Sequence, residues 1–399
     1  MKQKVVVIGH GSTSRLGIVR ALAEMDCEVT QVVMAWKDER GKLDKAGAFD
    51  SNSKYIHRVL FVYYKDGEGL IDLLLKQCAD SGQKVVLLPD SDFSAAVIDD
   101  HSDLLKEAFV FPHIVNEPHS LRYWMNKDNQ KMLAAQMGLN YAHANVIKVK
   151  NNYYSIPNDI LYPCFTKPSV SIVGGKQFFR KCNNQSELQE LLDLVGSKGD
   201  ETILAEEYIN IETEYALLGF SDGKEVVIPG IIKFITNSKS HFGIAMKGEI
   251  MPVTGFEDLL EQFKRFVLRV GFVGVFDIDF FWGDGKWWFG ELNLRFGGSG
   301  YAITKMGVNL PVMLVKCLTG LRYSDMPKQI EGTATYVNER MCMDDWYRGT
   351  ITTKEFKDYL ESADISFVRD NDDPKPQKAF EKQFRKMQLK KTIKSLLGR

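Results

Sequence analysis

Val275-Phe-Asp-Ile-Asp279 and, twelve positions past Asp279, Glu291-Leu-Asn-Leu-Arg295 are the stretches whose reading decides the fold. In both, polar residues alternate with large apolar ones, the period-2 signature of a strand with one polar face. Gly283-Asp284-Gly285 lies between them and reads as a short hairpin turn. With a three-residue loop, Asp277 and Asp279 share a face with Glu291, Asn293 and Arg295. A loop one residue shorter puts the two acids on the opposite face from Glu291, so register decides the argument. Two like charges ~4 Å apart cost on the order of 4 kcal/mol at an effective dielectric of about 20, so something cationic belongs among these acids. Carboxylates and an amide offer oxygen only, which suits hard Mg²⁺ with phosphate as a further ligand. A solvated hairpin face is the alternative. Phe280, Phe281, Trp282, Trp287, Trp288 and Phe289 oppose it, because such residues do not flank a surface ribbon.

Composition fits a soluble enzyme. The 399 residues give room for about two or three packed units. The apolar fraction is 44%, ample for cores, and the net charge of −1 excludes a nucleic-acid binder by charge. No apolar run approaches the ~20 residues that span a bilayer. The start, Met1-Lys-Gln-Lys-Val-Val-Val-Ile-Gly, has a basic opening but no signal-peptide core behind it. Cys27, Cys78, Cys164, Cys182, Cys317 and Cys342 lack metal-ligand spacing and fit reduced thiols of a cytoplasmic protein.

The first ~120 residues alternate strands and helices: strand Lys4–Ile8, helix Leu16–Met25, strand Glu28–Met34, helix Gly69–Ser81, strand Lys84–Leu88. That alternation predicts a parallel sheet with helices on both faces. The first turn, Gly9-His-Gly-Ser-Thr-Ser-Arg-Leu-Gly17, invites a dinucleotide reading. It misses the G-x-G-x-x-G spacing, and no acid closes the second strand at Met34. A ligand bound there would set its anionic group at the helix N-terminus.

The middle of the chain carries phosphate chemistry. Pro163-Cys-Phe-Thr-Lys167-Pro168 leads through Ser169-Val-Ser-Ile-Val-Gly174-Gly175-Lys176 into a second strand, Gln177–Lys181. A strand, a serine/glycine loop and a strand make a flexible hairpin whose backbone N–H groups can cover phosphates. The P-loop pattern is absent, and a Gly-Gly-Lys loop alone is more often an ordinary turn. Ile203-Leu-Ala-Glu206-Glu207-Tyr208-Ile209 is a strand edge ending in acids, with Glu214 further on. Such a segment can offer backbone groups and an acid to an adenine edge, and a second acid to ribose hydroxyls. The alternative for both acids is a strand-end surface role.

Taken in order, these pieces resemble the ATP-grasp superfamily over about residues 1–325. They are the parallel domain, Asn126-Lys127-Asp128 opening a helix to Gly138, Lys167-Pro, the Gly-Gly loop, Glu-Glu-Tyr-Ile, Asp-Ile-Asp-Phe and Glu-Leu-Asn-Leu-Arg-Phe-Gly-Gly. The resemblance implies an N-terminal parallel α/β domain (1–120), then a two-part α+β ATP-grasp fold. The latter divides into a small lid subdomain (121–205) and a large subdomain with the metal site (206–325), with a C-terminal helical extension (326–399) after it. It implies ATP and Mg²⁺ as cofactors, with Mn²⁺ as a substitute. It also implies roles. Lys127 and Lys167 contact phosphates, Ser169 to Lys176 cover them, Glu206 to Ile209 form the adenine hinge, and Glu214 takes the ribose. Asp279, Glu291 and Asn293 hold the metal, and Arg295 steadies the reacting acyl-phosphate. Asp rather than Glu at 279 departs from the commonest pattern, and Asp277 is an extra acid without an implied role.

The chemistry implied is transfer of the γ-phosphoryl group to a carboxylate, followed by attack of an amine. Bringing two anions together needs lysines, metal and arginine focused on one point more than it needs a base. No Ser-His-Asp or Cys-His constellation and no zinc motif is visible. The carboxylate and amine partners would lie against Gly9–Leu16 and Gly297-Gly-Ser-Gly-Tyr301; Lys233 and His241-Phe-Gly243 could also face the site, or serve core or surface roles. The layout is closest to D-aspartate ligases and other cell-envelope carboxylate–amine ligases. An NAD(P)-dependent oxidoreductase and a catalytically inactive nucleotide-binding protein are the rival readings. Beyond the resemblance, Thr352–Leu360 reads as a capped helix and Asp370–Pro376 as a polar linker. Lys378–Arg399 reads as an amphipathic helix with eight basic residues against Glu381. Its apolar face (Phe380, Phe384, Met387, Ile393, Leu396, Leu397) either lies on anionic membrane at the inner face of the cell or docks on the protein or a partner.

Overall fold

Short Val- and Ile-rich runs separated by helices build the first sheet, because strands buried on both faces need apolar residues at every position. The computed structural model describes residues 2–10, 12–38, 41–45, 48–115, 117–170, 176–241 and 243–396. Its first sheet is fully parallel, in the order β3-β2-β1-β4-β5, from β1 (Gln3–Gly9), β2 (Cys27–Ala35), β3 (Arg58–Tyr63), β4 (Val85–Pro89) and β5 (Phe109–Val110). The strand Arg58–Tyr63 is missing from the sequence reading. The first helix spans Ser12–Ala21, starting nearer the turn than that reading has it.

A second sheet, β7-β10-β8-β9, is antiparallel and consists of β7 (Ala144–Val149), β8 (Cys164–Pro168), β9 (Arg180–Cys182) and β10 (Glu201–Glu207). The strand expected over Gln177–Lys181 is instead a short turn at Lys176–Phe178 followed by β9. The third sheet runs β16-β15-β11-β13-β14-β17-β18. Its members are β11 (Ile211–Asp222), β13 (Ile231–Asn237), β14 (Ala245–Met251), β15 (Phe272–Gly283), β16 (Lys286–Asn293), β17 (Ala334–Val337) and β18 (Ile365–Ser366). β6 (His113–Ile114) pairs with β15, and β12 (Val226–Val227) with β11. The large sheet thus draws strands from both sides of 206–325.

One face of this sheet packs Ile278, Phe280 and Phe289 against the helix Glu257–Val270 through Phe263 and Phe266. The other face carries Ala216, Leu218 and Val275 into a core shared with Val5, Val7 and Ile18 of the first sheet's layer. This sharing fixes the N-terminal domain against the acid-bearing face.

The C-terminal helix begins at Pro374, where the sequence suggests a linker, and runs to Leu396. Asp373 just before it is fully buried and pairs with Arg20 at 3.1 Å. Phe380 is buried against Phe49, and Phe384 lies 4.7 Å from both Trp346 and Phe356. Phe380, Phe384 and Met387 of the apolar face offered to a membrane therefore pack on the protein itself, Ile393 is exposed, and Leu397 and the Leu396 side chain lie outside the described residues. No described helix is long and apolar enough to cross a bilayer.

Candidate active site

Glycine at one position sets the geometry of the acidic hairpin. The turn holds two residues, Asp284 and Gly285, both at positive φ, with Gly283 paired to Lys286. Such a turn alone would send Asp279 and Glu291 to opposite faces. A bulge between the Phe280–Phe289 and Asp279–Glu291 pairs inserts Gly290 and restores the register. Asp277 then pairs with Asn293 and Asp279 with Glu291, so all four side chains share one face. A Cβ on Gly290 would lie 2.7 Å from the Asp279 carbonyl oxygen, so only glycine fits without a shift. Across the sheet, Ala216 pairs with Asp279 and Leu218 with Asp277, which sets Glu214 two residues along on the same face. Lys233 pairs with Tyr215 and so faces the opposite side, away from these acids.

Two clusters of charge meet here. On the second sheet, Glu206 is buried with Lys167 at 2.9 Å and Lys131 at 3.0 Å from the same oxygen. Burial alone would raise the Glu206 carboxyl, but the two lysines outweigh it and lower its pKa. Burial would likewise lower Lys167, yet Glu206 and Glu291 carry it above the ordinary lysine value. Lys131 is pulled down to about 8 by burial, with Glu206 opposing, and also donates to the Ala142 carbonyl at 2.6 Å.

On the hairpin, Lys127 reaches Glu291 at 3.0 Å. Burial opposes ionisation of Glu291, but Lys127 and Lys167 hold its pKa down to about 2. Asp277 is raised to about 6 by burial, with Arg295 opposing, and burial together with Asp277 and Glu291 drives Asp279 well above its ordinary value. Arg295 is the hub. It lies 3.2 Å from Asp92 and 3.5 Å from Asp277, and donates to the Asn293 side-chain oxygen at 3.1 Å. Asn293 in turn donates to Asp279 at 3.4 Å. Gly297 leaves room for Asp277, whose carboxyl would sit 2.5 Å from a Cβ there.

The helix Lys127–Gln136 positions this machinery, its first turn capped by the Asn126 side chain. Gln130 grips the Leu292 backbone in both directions, donating and accepting at 2.8 Å, and so fixes Glu291 and Asn293 on either side. The Lys127 N–H donates to the Ser169 carbonyl at 2.9 Å, tying the end of β8 to this helix.

The hinge residues divide. Glu207 accepts the His143 N–H at 3.0 Å, the Tyr208 N–H reaches Pro163 at 3.1 Å, and Ile209 is buried beside Ala142 and Trp288. Glu214 accepts from Asn237 at 2.9 Å, and burial raises its pKa. Gly174 and Gly175 of the expected phosphate loop, and the side chain of Lys176, lie outside the described residues. His241 turns to Asp344 at 3.3 Å. Sequence reasoning missed Lys131, Gln130, Asp92 and Gly290. Lys131 was within reach, since it lies one helical turn after Lys127 and shares its face.

Among the described residues, no three His, Cys, Asp or Glu side chains converge to enclose a metal by themselves. Two carboxylates and an amide, Asp279, Glu291 and Asn293, fit a cation that takes its remaining ligands from phosphate.

Residues 132–308 match the model of the ATP-grasp domain. Carbamoyl phosphate synthase large chain of Halomonas eurihalina is 23% identical over 224 residues, covering 55% of this chain and 21% of that protein. The arginine-specific large chain of Bacillus subtilis is 25% identical over 213 residues, covering 52% and 20%. The chain thus spans about a fifth of the length of the curated relatives it matches. Among solved structures, N5-carboxyaminoimidazole synthetase of Staphylococcus aureus complexed with ADP has a TM-score of 0.63 at 18% identity, covering 90% of this chain and 88% of that one. L-amino acid ligase of Bacillus licheniformis has a TM-score of 0.61 at 18% identity, covering 84% and 79%. At these identities the structural likeness is one of fold.

Proposed function

This chain carries an ATP-grasp domain, and from that premise we propose that it is an ADP-forming ligase joining a carboxylate to an amine. The observation that carries the reading is the single face on which Asp279, Glu291 and Asn293 lie within reach of Lys127, Lys167 and Arg295. ATP would lie between the second sheet and the hairpin, its base toward Glu206–Ile209. Lys127 and Lys167 would contact its phosphates, and Glu214 its ribose. Asp279, Glu291 and Asn293 would hold Mg²⁺, which when bound neutralises phosphate charge and orients the γ-phosphoryl group. Lys167 acts in the ground state as a fixed charge. Arg295, held by Asp92, Asp277 and Asn293, meets charge that develops as the carboxylate attacks and as the amine adds to the acyl-phosphate. Packing two oxyanions together is the obstacle, and preorganised cations remove it.

The structural relatives are an L-amino acid ligase and an N5-carboxyaminoimidazole synthetase, which supports small-molecule substrates for this chain. The finer reading, an acceptor in the cell envelope, is supported by the resemblance to D-aspartate ligases. Packing of Phe380 and Phe384 favours the docked form of the C-terminal helix over peripheral membrane contact. The test is a screen of carboxylates and amines for Mg²⁺-dependent ADP formation. Release of ADP that requires both partners supports the reading, and oxidation of NAD(P)H without ATP would replace it with the oxidoreductase.

A further inference from the structure

We propose that the acceptor is a cationic primary amine, held at the carboxyl edge of the N-terminal sheet by Asp90 and Asp92 with its carbon skeleton against Trp36, whose ring lies on the buried Tyr64. This rests on the ligase reading and deepens it.

Topology comes first. From β1 the chain builds β2 and β3 on one side and returns as β4 on the other. The carboxyl ends of β1 and β4 therefore frame the switch point at which open parallel sheets form their ligand crevice. The first residue past each of the four strands is His10, Trp36, Tyr64 and Asp90, in chain order. Their rings adjoin: His10 to Tyr64 at 4.7 Å and Trp36 to Tyr64 at 4.4 Å between centroids. Trp36 is 52% exposed, a wide apolar face beside a polar mouth. Such a face suits a carbon skeleton and, through its electron-rich ring, a cation.

Charge comes second. Asp90 is only 7% exposed, yet neither carboxyl oxygen accepts a hydrogen bond among the described residues. Burial raises the Asp90 carboxyl to about 7, with Arg15 opposing, and the His10 backbone N–H favours its ionised form only slightly, without closing a bond. Its carboxyl presses on Gly9, where a Cβ would lie 1.3 Å from Oδ1. A buried carboxyl without donors is costly, and a donor from outside relieves it. Arg15 lies near but gives its guanidinium to Asp50, at 2.9 and 3.1 Å, and to the Gly9 carbonyl at 2.6 Å. Asp92, 27% exposed, opens onto the mouth and shares Arg295 with Asp277. Four carboxyls thus meet two guanidiniums, and an ammonium brings both the missing charge and three N–H donors. A phosphorylated acceptor would meet the same acids and be repelled.

The test titrates the full-length protein with benzylamine, benzyl alcohol and O-phosphoethanolamine by tryptophan fluorescence, with Mg²⁺-dependent ADP binding measured by dialysis on the same samples. Benzylamine should give a saturable change that Trp36→Phe removes, with benzyl alcohol binding about tenfold or more weakly for want of a charge-assisted bond and O-phosphoethanolamine about tenfold or more weakly because its phosphate is repelled by the same acids. Asp92→Asn and Asp90→Asn should each weaken benzylamine by about tenfold and leave benzyl alcohol unchanged. Thermal melts check folding, and the partly exposed Asp92 carries the test if Asp90→Asn does not fold. Equal affinity for the alcohol, tighter binding of O-phosphoethanolamine, or benzylamine binding unaffected by Asp92→Asn would overturn the inference while ADP binding kept the ligase reading intact. Loss of ADP binding in the wild type would remove the ligase reading and this inference with it.

Discussion

The two charge clusters on either side of the proposed nucleotide cleft are both largely buried, the lysine side more deeply, and are unbalanced in opposite directions. On the second sheet, Lys167 and Lys131 share one carboxylate, Glu206. On the hairpin, Asp277, Asp279 and Glu291 gather around Arg295 and Lys127, and two of the three acids are pushed toward protonation. A protein keeps such imbalances only where something of the opposite sign completes them. The lysine side is short of an anion and the hairpin side short of a cation, which together describe a metal-bound polyphosphate.

The largest effect expected from breaking this contrast comes from Glu291→Ala. It removes a metal donor, and turnover should fall by about 10³-fold or more while the thermal melt stays cooperative. Wild-type ADP release by this variant would refute the metal assignment. Arg295→Ala and Lys167→Ala sharpen the contrast by role. Arg295→Ala should lower kcat by about 10²-fold with little change in the KM for ATP, as expected for a group that meets developing charge. Lys167→Ala should mainly raise that KM, because its contact exists in the ground state. Steady-state kinetics that moved both constants equally in both variants would dissolve the division.

Gly290→Ala tests what holds the hairpin acids together. A Cβ 2.7 Å from the Asp279 carbonyl must displace backbone, at a cost of about 1–3 kcal/mol in a urea titration, and metal-dependent activity should fall with it.

The smallest effect is in pH dependence, where the clusters should slope oppositely. Asp277 has a folded pKa raised from 3.8 to about 6. Its contribution to the ligand-free protein is full below 3.8 and is lost as pH rises through about 6. Glu206 has a lowered pKa, so its contribution is present above 4.5 and is lost as pH falls. Each slope is at most about 1.4 kcal/mol per pH unit. Urea midpoints from pH 3 to 7 should show Asp277→Asn removing the loss on the alkaline side and Glu206→Gln the loss on the acid side; parallel curves would argue against the assigned imbalances.

Much of this was legible in the sequence because it rests on local chemistry. Alternating acids and aromatics marked the hairpin, and Asn126 before Lys127 marked a capped helix. What escaped depends on contacts distant in the chain. From the sequence alone, the shared face requires a three-residue loop. The fold reaches it with a two-residue turn and a bulge, which Gly290, flanked by Phe289 and Glu291, does not announce. Asp92 becomes part of the site only because two domains meet at Arg295. Arg58–Tyr63 was a plain β-branched and aromatic run that the reading passed over. The expected last helix forms, with Phe380 and Phe384 of its expected apolar face packed inward and Ile393 exposed. A pattern cannot say what covers the apolar face, and here Phe49, Trp346 and Phe356 do.

The central claim is that the hairpin acids hold a metal that the nucleotide completes. Paramagnetic Mn²⁺ binding, measured with and without ATP in the wild type and in Glu291→Ala, tests it most directly. The account predicts that Mn²⁺ binds tightly to the wild type only with ATP present, and that Glu291→Ala loses this binding. Tight ATP-dependent Mn²⁺ binding that survives in Glu291→Ala would contradict it.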